Sequence, residues 1–568
     1  MRTLRVSRRA SVFLFPVLLA VVWSAALPAS AGQTYWQHDP CTPGDWFDAN
    51  NWTAGVPTAG DWAYVDNGGT AEISYGQAEA YGELVGHSGT GTIRQVNARN
   101  VVGDTLYVGS DHYAHSNGTY ELSGTGQLWA QTEFVAWYPS GGGRFVQTGG
   151  TNTVADELVV GSELKSDGTY ELNGRAQLWA TRERVVQGGR FVQTGGLNTV
   201  RGVLKIDGRY ELSGTGRLRV TGEEQIGFEG ATAALVQHGG THMVAGEMSL
   251  GDQEGSTGTY ELRSGELVVD DDLVVGDCAT GIFIQSGGTV SVRGRLEFGD
   301  EEETCSGTYE LTGGLLVAED ELIGDNGSGT FLQTGGENRI LKCLEVGDSG
   351  QYVLRGGILQ VGWSLDLDGE WDFGANSVDV TWENVVVDFS DGNVLNAEKA
   401  SLTLLGANTL VILAPGQDPN EWFQEYTNEG RTHITNGPLV VPAGTTRAWR
   451  GMIRVPVHCE GTLSAPPGDG LVLLGDLTID GNGAVLLGPG ELTVGDGVSR
   501  LDGNGRLQAD EEIIGQRGTA TFIQTGGTNT VGELGLGDDE EDVGTYRLEG
   551  GLLQADEEGI GDEGCGVF

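Results

Sequence analysis

The sequence predicts an all-β fold, an elongated parallel β-helix or solenoid of about 20–25 residues per coil with an aromatic N-terminal cap. Two short sequence units alternate along the chain, and successive units are mostly 21 to 26 residues apart. The chain holds 96 glycines but only 14 prolines, and no stretch has the apolar spacing of a long helix. Self-similarity at such a period is typical of stacked units rather than of a globule.

The two units are easily read from the printed sequence. The first runs GTYELSG from Gly118 to Gly124, and it recurs around Tyr170, Tyr210, Tyr260, Tyr309, Tyr352 and Tyr546. The second runs FVQTGG from Phe145 to Gly150, and it recurs around Phe191, Leu235, Phe283, Phe331 and Phe522. They alternate strictly between Tyr120 and Tyr352, so the full period is near 46 residues.

One unit predicts three short strands separated by glycine-rich corners. After Gly307 these strands are residues 308–311, 315–317 and 321–323, and the unit closes on Gly324. Apolar and polar residues tend to alternate within them, as in half-buried strands. We therefore expect each unit to form one coil, with coils stacked about 4.8 Å apart and Tyr, Phe and Leu filling the interior.

The chain divides into five segments. Residues 1–31 are a predicted signal peptide, 32–105 the cap and first coils, 106–362 regular repeats, 363–500 an irregular solenoid with an insertion near 414–442, and 501–568 resumed repeats. The last residues, Gly566–Phe568, match the opening of another unit, so we expect a truncated chain. The signal peptide combines four early arginines, an apolar stretch from Val12 to Leu27 and a small-residue cleavage site, and it predicts bacterial export.

Two aromatic clusters stand outside the repeats. Trp36, Trp46, Trp52 and Trp62 predict a cap that hides the first open coil, and the alternative is a carbohydrate platform. In the insertion, Trp422, Phe423 and Tyr426 are the candidate ligand-binding residues, because this is the least repetitive surface of the chain.

The charge balance excludes some partners. Eighty acidic residues against 32 basic ones give a net charge of −48, which repels nucleic acid. No long apolar run follows residue 31, so the mature chain is predicted to have no membrane span. An aspartate follows the closing glycine of many coils, which leaves two hypotheses open, a solvated acidic edge or calcium sites. The calcium candidates are Asp277, Asp300, Asp325 and Asp348.

Some recurring residues have a structural and a functional interpretation. A glutamine recurs at the position that leucine takes in the alternate unit, and hydrogen bonds at a corner or to the backbone are the expected role; the set is Gln147, Gln193, Gln237, Gln285, Gln333 and Gln524. His238 and His242 replace Thr148 and Asn152 of another unit, so a metal pair is the weaker interpretation. Cys278 and Cys305 lie in loops of consecutive coils, where pairing and two separate thiols are both open.

The repeat pattern resembles that of large secreted bacterial proteins with autotransporter-passenger-like, adhesin-like β-solenoids. The resemblance rests on the alternation of GTYxLSG with GTFxQTGGxN, and on an N-terminal box that includes Asn51-Trp52, Pro57 and Asp61. The segment from Ala414 to Gly444 is similar to a mid-chain segment of such proteins. The resemblance implies a surface or extracellular role and carries over no catalytic residue.

The sequence therefore predicts a secreted or cell-surface structural, adhesin-like protein with no catalytic activity and no required cofactor. Its expected partners are extracellular glycans or neighbouring cell surfaces. One alternative is a polysaccharide-binding module. A second is a glycan-cleaving β-helix enzyme, because two carboxylates can lie at a catalytic distance on one strand face.

Overall fold

The chain forms a parallel β-solenoid of about 22 turns, with 61% of residues in strands and 2% in helices. This computed structural model describes residues 31–110, 116–138, 141–162, 166–228, 230–299, 304–466, 469–516, 518–537, 542–561 and 564–568. The predicted signal peptide lies outside the described residues, except for its last position. The predicted all-β solenoid fold is confirmed.

Equivalent residues of successive coils lie directly above one another. Phe283 pairs with Tyr260 on one side and with Tyr309 on the other, and the ring centroids are 4.9 and 4.5 Å apart with nearly parallel planes. The same stack runs from Tyr120 to Tyr210, is interrupted at Leu235, and resumes from Tyr260 to Trp371. All these side chains are buried, so the stack is the centre of the core.

Each coil has three faces, numbered here in chain order from the aromatic stack. Face 1 carries the stack, and its strands are Gly44–Asp45, Asn117–Ser123, Gly142–Gln147, Asp167–Leu172, Arg190–Gln193, Arg209–Leu212, Thr232–Gln237, Thr257–Leu262, Thr280–Gln285, Ser306–Leu311, Ser328–Gln333, Gly350–Leu354, Glu370–Asp372 and Asn393–Leu395. Face 2 has the strands Gln77–Ala80, Leu197–Val200, Arg217–Val220, Thr241–Val244, Glu266–Val269, Glu337–Ile340 and Ile358–Val361. Three more strands follow it in the last coils, Val378–Glu383, Ala400–Leu405 and Glu425–Asn428.

Face 3 has the strands Gly32–Tyr35, Leu204–Ile206, Glu224–Ile226, Met248–Leu250, Leu273–Val275, Cys343–Val346, Ser364–Leu367, Val386–Phe389, Leu410–Leu413 and Arg431–Ile434. Several strands continue across a corner. Those from face 3 to face 1 are Asp61–Ile73 and Gly82–Val96, and those from face 2 to face 3 are Arg99–Val108, Gln127–Val135, Thr151–Val160, Gln177–Val185, Thr289–Phe298 and Leu315–Ile323. The two separate strands expected at 315–317 and 321–323 are therefore one continuous strand.

Three of the four N-terminal tryptophans form a buried cluster at the end of the solenoid, whereas Trp62 is half-buried and packs edge-on against Tyr81 at 5.4 Å. Trp52 packs edge-on against Trp36 and Trp46 at centroid distances of 5.0 and 4.7 Å, and its Nε1 donates to the Trp46 carbonyl at 2.8 Å. All three are at most 2% exposed. Their ring faces are used inside the protein, which fits the cap and leaves no room for the carbohydrate platform at these three residues.

The insertion expected near 414–442 contains only a short irregular stretch. A helix at Pro419–Trp422 begins after Asp418, whose side chain accepts from the Asn420 amide, and 3-10 turns occupy Ala49–Asn51 and Ala397–Lys399. Within the expected insertion, Glu425–Asn428 and Arg431–Ile434 already pair with strands of the preceding coil. The part that leaves the stack is thus narrower than 414–442.

A second stack begins at Leu439, and its core is continuous with Val386, Leu410 and Ile412 of face 3 of the first stack. Its strands are Leu439–Val441, Thr446–Ala448, Gly451–Ile453, Val457–Cys459, Thr462–Ser464, Leu471–Leu473, Leu477–Ile479, Ala484–Leu486, Glu491–Val494, Gly497–Leu501, Arg506–Ile514, Thr519–Gln524, Thr528–Leu536, Val543–Leu548, Leu552–Ile560 and Cys565–Val567. This stack lies beside face 3 of the first stack, where the Met452 amide donates to Ser364 Oγ at 3.1 Å. Among the described residues, no helix has the length and apolar character needed to cross a membrane.

Candidate functional sites on the faces and inside the coils

The calcium candidates follow corner glycines of successive coils. Asp277 is half-buried, Asp325 and Asp348 are exposed, and Asp300 lies outside the described residues. Within the described part of the chain, no three His, Cys, Asp or Glu side chains lie close enough together to hold a metal ion. Calcium binding therefore stays a prediction.

Asp348 lies in a shallow acidic cleft of about 430 Å³ between two coils. The other acids of the cleft already have partners: Asp368 pairs with Arg454 at 2.8 Å, and Glu370 accepts from Gln351 and Asn393. Burial is the main reason why the pKa of Asp368 is raised, and Arg454 acts against it. This cleft thus presents a hydrogen-bonded surface rather than a set of uncommitted carboxylates.

The three ligand candidates near the helix contact the core. Phe423 is 6% exposed and packs edge-on against Phe373 at 5.7 Å, while Tyr426 stacks on Phe423 at 6.0 Å. Trp422 and Tyr426 are half-buried and pack against the same core. Only these two keep part of their rings accessible to a ligand.

An aromatic strip that the sequence analysis did not single out lies on the outer side of face 3. We define it as Tyr35, Tyr64, Tyr107, Phe134 and Trp137. Tyr35 stacks on Tyr64 at 4.5 Å, Tyr107 on Phe134 at 5.2 Å, and Phe134 contacts Trp137 at 4.0 Å. Tyr35 and Trp137, at its two ends, are 39% and 37% exposed. The signal in the sequence is an aromatic residue at the outward position of this strand in several early coils.

The recurring glutamines have the structural role that their position predicts. Gln147 Nε2 donates to the carbonyls of Gly150 in its own coil and Gln177 in the next, at 3.3 and 2.9 Å. Its Oε1 accepts from the Tyr170 hydroxyl at 2.8 Å. The interpretation of a glutamine that holds a corner is confirmed, and the hydroxyl partner is an addition.

A second polar column in the core was missed by sequence reasoning. An inward-facing glutamate of face 3 accepts from an asparagine Nδ2 of face 2, and that asparagine also donates to the tyrosine hydroxyl of the next coil. In one layer the Asn152 Nδ2 lies 2.9 Å from Glu133 Oε2 and 3.1 Å from the Tyr170 hydroxyl. We call this column the Glu–Asn ladder, and its pairs are Glu83–Asn100, Glu133–Asn152, Glu183–Asn198, Glu321–Asn338 and Glu512–Asn529.

One layer of the ladder contains histidine instead of asparagine. His242 Nε2 lies 2.7 Å from Glu224 Oε2, and its Nδ1 lies 3.0 Å from the Tyr260 hydroxyl, with His242 fully buried. His238 is exposed. The two histidines therefore do not form a metal pair, and His242 takes the place of an asparagine in the ladder, as the sequence indicated.

The five glutamates paired with asparagine are completely buried, and no lysine or arginine of the described residues is among the groups that shift their pKa. Burial raises the pKa of Glu133, Glu183 and Glu321 to about 8, and the asparagine hydrogen bond lowers it only in part. The same causes raise the pKa of Glu83 and Glu512 to about 7. Each layer therefore holds a carboxyl that favours its neutral form.

On the surface, one carboxyl stands out. Partial burial of Glu247 raises its pKa to about 7, and the negative charges of Glu223, Asp272, Asp252 and Asp271 add to the effect. Glu223, Glu247 and Asp272 precede aligned residues of consecutive coils, so they lie at the same corner between faces 2 and 3. A carboxylic acid that is half-protonated near neutral pH can donate a proton to a leaving group.

Comparison with known proteins gives no relative for this chain. No family model, curated protein or solved structure matches it.

Proposed function

We propose that the chain is a secreted or cell-surface structural element of a bacterium, adhesin-like and without catalytic activity. The observation that supports this most directly is the aromatic strip, in which four aromatic residues take outward positions of face 3, with Leu84 between Tyr64 and Tyr107, and Trp137 follows at the adjoining corner. Aromatic side chains with a polar edge are common where proteins bind partners. The resemblance of the repeats to secreted bacterial solenoids supports the same location.

The stacked coils favour many weak contacts rather than one strong site. The face 3 column continues from Tyr35 to His433, and its part before Glu345, where the second stack begins to cover it, has a length on the order of 60 Å at about 4.8 Å per coil. Weak contacts distributed along such a length reinforce one another, because each binding event after the first is intramolecular. Extracellular glycans and neighbouring cell surfaces, which are themselves repetitive, are the proposed partners.

Glycan-array binding tests this function. We expect the mature chain to bind a subset of glycans, and the double substitution Tyr35→Ala with Trp137→Ala to reduce that binding at least tenfold. Met243→Ala, which removes an exposed apolar side chain from face 2, is the matched control and should change nothing. Loss of binding with Trp422→Ala but not with the strip variant would instead favour a polysaccharide-binding module at the 414–442 segment.

Glycan cleavage is the competing function, and Glu247 is the observation that favours it. Release of reducing ends from a panel of acidic and neutral polysaccharides measures this activity directly. We expect no turnover. Turnover that is lost in Glu247→Gln and kept in Glu310→Gln would replace the non-catalytic proposal.

A further inference from the structure

The Glu–Asn ladder leaves the same two atoms without a partner in layer after layer. In four pairs, both the glutamate Oε1 and the asparagine Oδ1 are buried and accept no hydrogen bond; the pairs are Glu133–Asn152, Glu183–Asn198, Glu321–Asn338 and Glu512–Asn529. Both atoms are acceptors when the glutamate is ionised. Two buried acceptors that face each other without a hydrogen between them are unfavourable, because neither recovers the hydrogen bonds that it made to water in the unfolded chain.

The chain itself shows that the two residues depend on each other. In the layer that follows His242, the glutamate position is Leu273 and the asparagine position is Val290. The Tyr309 hydroxyl still donates to Gln285 there, at 2.6 Å. The acid and the amide are thus lost together while the rest of the layer is kept, which is expected if their interaction is what makes either residue acceptable in the core.

We propose that these four glutamates bind a proton on Oε1 in the folded chain, and that the resulting hydroxyl donates to the asparagine Oδ1, so that each pair is a neutral acid–amide pair. The proton turns one of the two unsatisfied acceptors into a donor. The asparagine Nδ2 then donates to Oε2 and the acid donates back, which satisfies both groups. The core of the solenoid is therefore a column of proton-binding sites.

The surroundings of each acid oppose its ionisation. Glu183 faces Asn198, Tyr170, Tyr210 and the carboxyl of Glu224. Glu133 faces Asn152, Tyr120, Tyr170 and the carboxyl of Glu83. No lysine, arginine or histidine of the described residues is among the groups that shift the pKa of these two acids. A negative charge there would lie in an apolar layer beside a like charge.

This arrangement makes stability depend on pH in a defined direction. An unfolded glutamate has a pKa near 4.5, and burial raises the pKa of Glu183 to about 8. Below pH 4.5 both states are protonated, and the acid–amide pair contributes fully. Above it the unfolded chain loses its proton while the folded chain keeps it, so the free energy of unfolding falls until about pH 8. The acid–amide pairs therefore contribute most to the free energy of unfolding at low pH and least above about pH 8.

Glu183→Gln in the full mature chain tests the proposal, because the amide copies the neutral acid and cannot lose the proton. Thermal unfolding followed by circular dichroism should give a melting temperature at pH 9 at least about 2 °C above that of the wild type, and the same value at pH 4, where both states are protonated. Glu310→Gln, which changes an outward-facing glutamate of face 1, is the matched control and should show no such difference. Glu183→Leu with Asn198→Val copies the natural Leu273–Val290 layer and should also remove this layer's pH dependence.

Infrared spectroscopy provides a second readout that does not depend on stability. At pH 6 Glu247 also keeps its proton in part, so the readout is the part of the protonated carboxyl band that Glu183→Gln removes and Glu247→Gln does not. The proposal is overturned if that band is absent at pH 6 in the folded wild type. It is also overturned if Glu183→Gln melts at or below the wild-type temperature at pH 9.

Discussion

At the residue scale, single polar side chains connect successive coils. Gln147 is bonded to its own corner, to the backbone of the next coil and to a tyrosine hydroxyl. Leu172 occupies the same position in the following coil and makes none of these bonds. The alternation of glutamine and leucine therefore reflects one polar layer for every two coils.

Replacing Gln147 by leucine should show how much this layer contributes. The substitution leaves the Tyr170 hydroxyl without its acceptor and two carbonyls without their side-chain donor, so we expect a loss of about 2 kcal/mol in the free energy of unfolding. Urea denaturation measures it. Gln127→Leu, on the exposed side of face 2, is the control and should stay within about 0.5 kcal/mol of the wild type; equal losses for both would contradict the role given to Gln147.

At the element scale, a coil is defined by its corners and by its ring in the aromatic stack. Gly276 has a φ of 82° and a Cβ there would lie 2.2 Å from the carbonyl oxygen of Ser306, the first residue of the strand that carries Tyr309. Gly255 has nearly the same φ, 80°, but nothing lies within 4 Å of its Cβ position. Comparing these two glycines distinguishes the effect of backbone strain, which both positions share, from the effect of a close neighbouring backbone, which only Gly276 has.

Alanine at these positions should give unequal effects. Gly255→Ala adds only the left-handed strain, about 1 kcal/mol. Gly276→Ala adds the clash with a neighbouring backbone as well, and we expect it to lower the free energy of unfolding by at least twice as much, again in urea. If the two variants unfold alike, close stacking at the corner does not decide the choice of glycine.

The aromatic stack contains one position with an aliphatic side chain in place of an aromatic ring. Leu235 already replaces a phenylalanine between Tyr210 and Tyr260. We therefore expect Phe283→Leu to be clearly milder than Phe283→Ala, which leaves a cavity between Tyr260 and Tyr309 and should cost about 3–5 kcal/mol. Thermal or urea unfolding of both variants distinguishes them, and equal losses would mean that filling the layer is not what matters.

At the scale of the whole molecule, Arg454 forms ion pairs between the two stacks, in addition to the Met452–Ser364 hydrogen bond and apolar packing. Arg454 of the second stack contacts Glu345, Asp366 and Asp368 on face 3 of the first, with Asp368 at 2.8 Å. Burial raises the pKa of Asp366 to about 8 although Arg454 acts in the opposite direction. The cation therefore compensates several carboxylates that are partly removed from water.

Removing this cation should separate the stacks before it unfolds either of them. Arg454→Ala leaves the acids without their partner, and we expect a loss of about 3 kcal/mol at the junction. Limited proteolysis should then cut between Ile434 and Leu439, and small-angle scattering should show a larger radius. Arg339→Ala, which breaks an exposed pair with Glu337, is the control and should leave both measurements unchanged.

The sequence alone determined the repeat, the coil length, the strand periodicity and the interior positions of Tyr, Phe and Gln. These are local properties, because every coil repeats the same spacing of apolar residues and glycines, and stacking follows from that repetition. The position of the tryptophans at the start of the repeats was likewise enough to predict a buried cap.

Only the tertiary structure decided which polar groups meet inside the core and which aromatic residues reach the surface. Glu133, Asn152 and Tyr170 belong to three different coils, and each looks unremarkable in its own strand. Their contact depends on the register between coils, which brings residues 18 and 19 positions apart into one layer. In the same way, folding buries Phe423 and exposes Trp137, since burial depends on what packs above a side chain and not on its neighbours in the sequence.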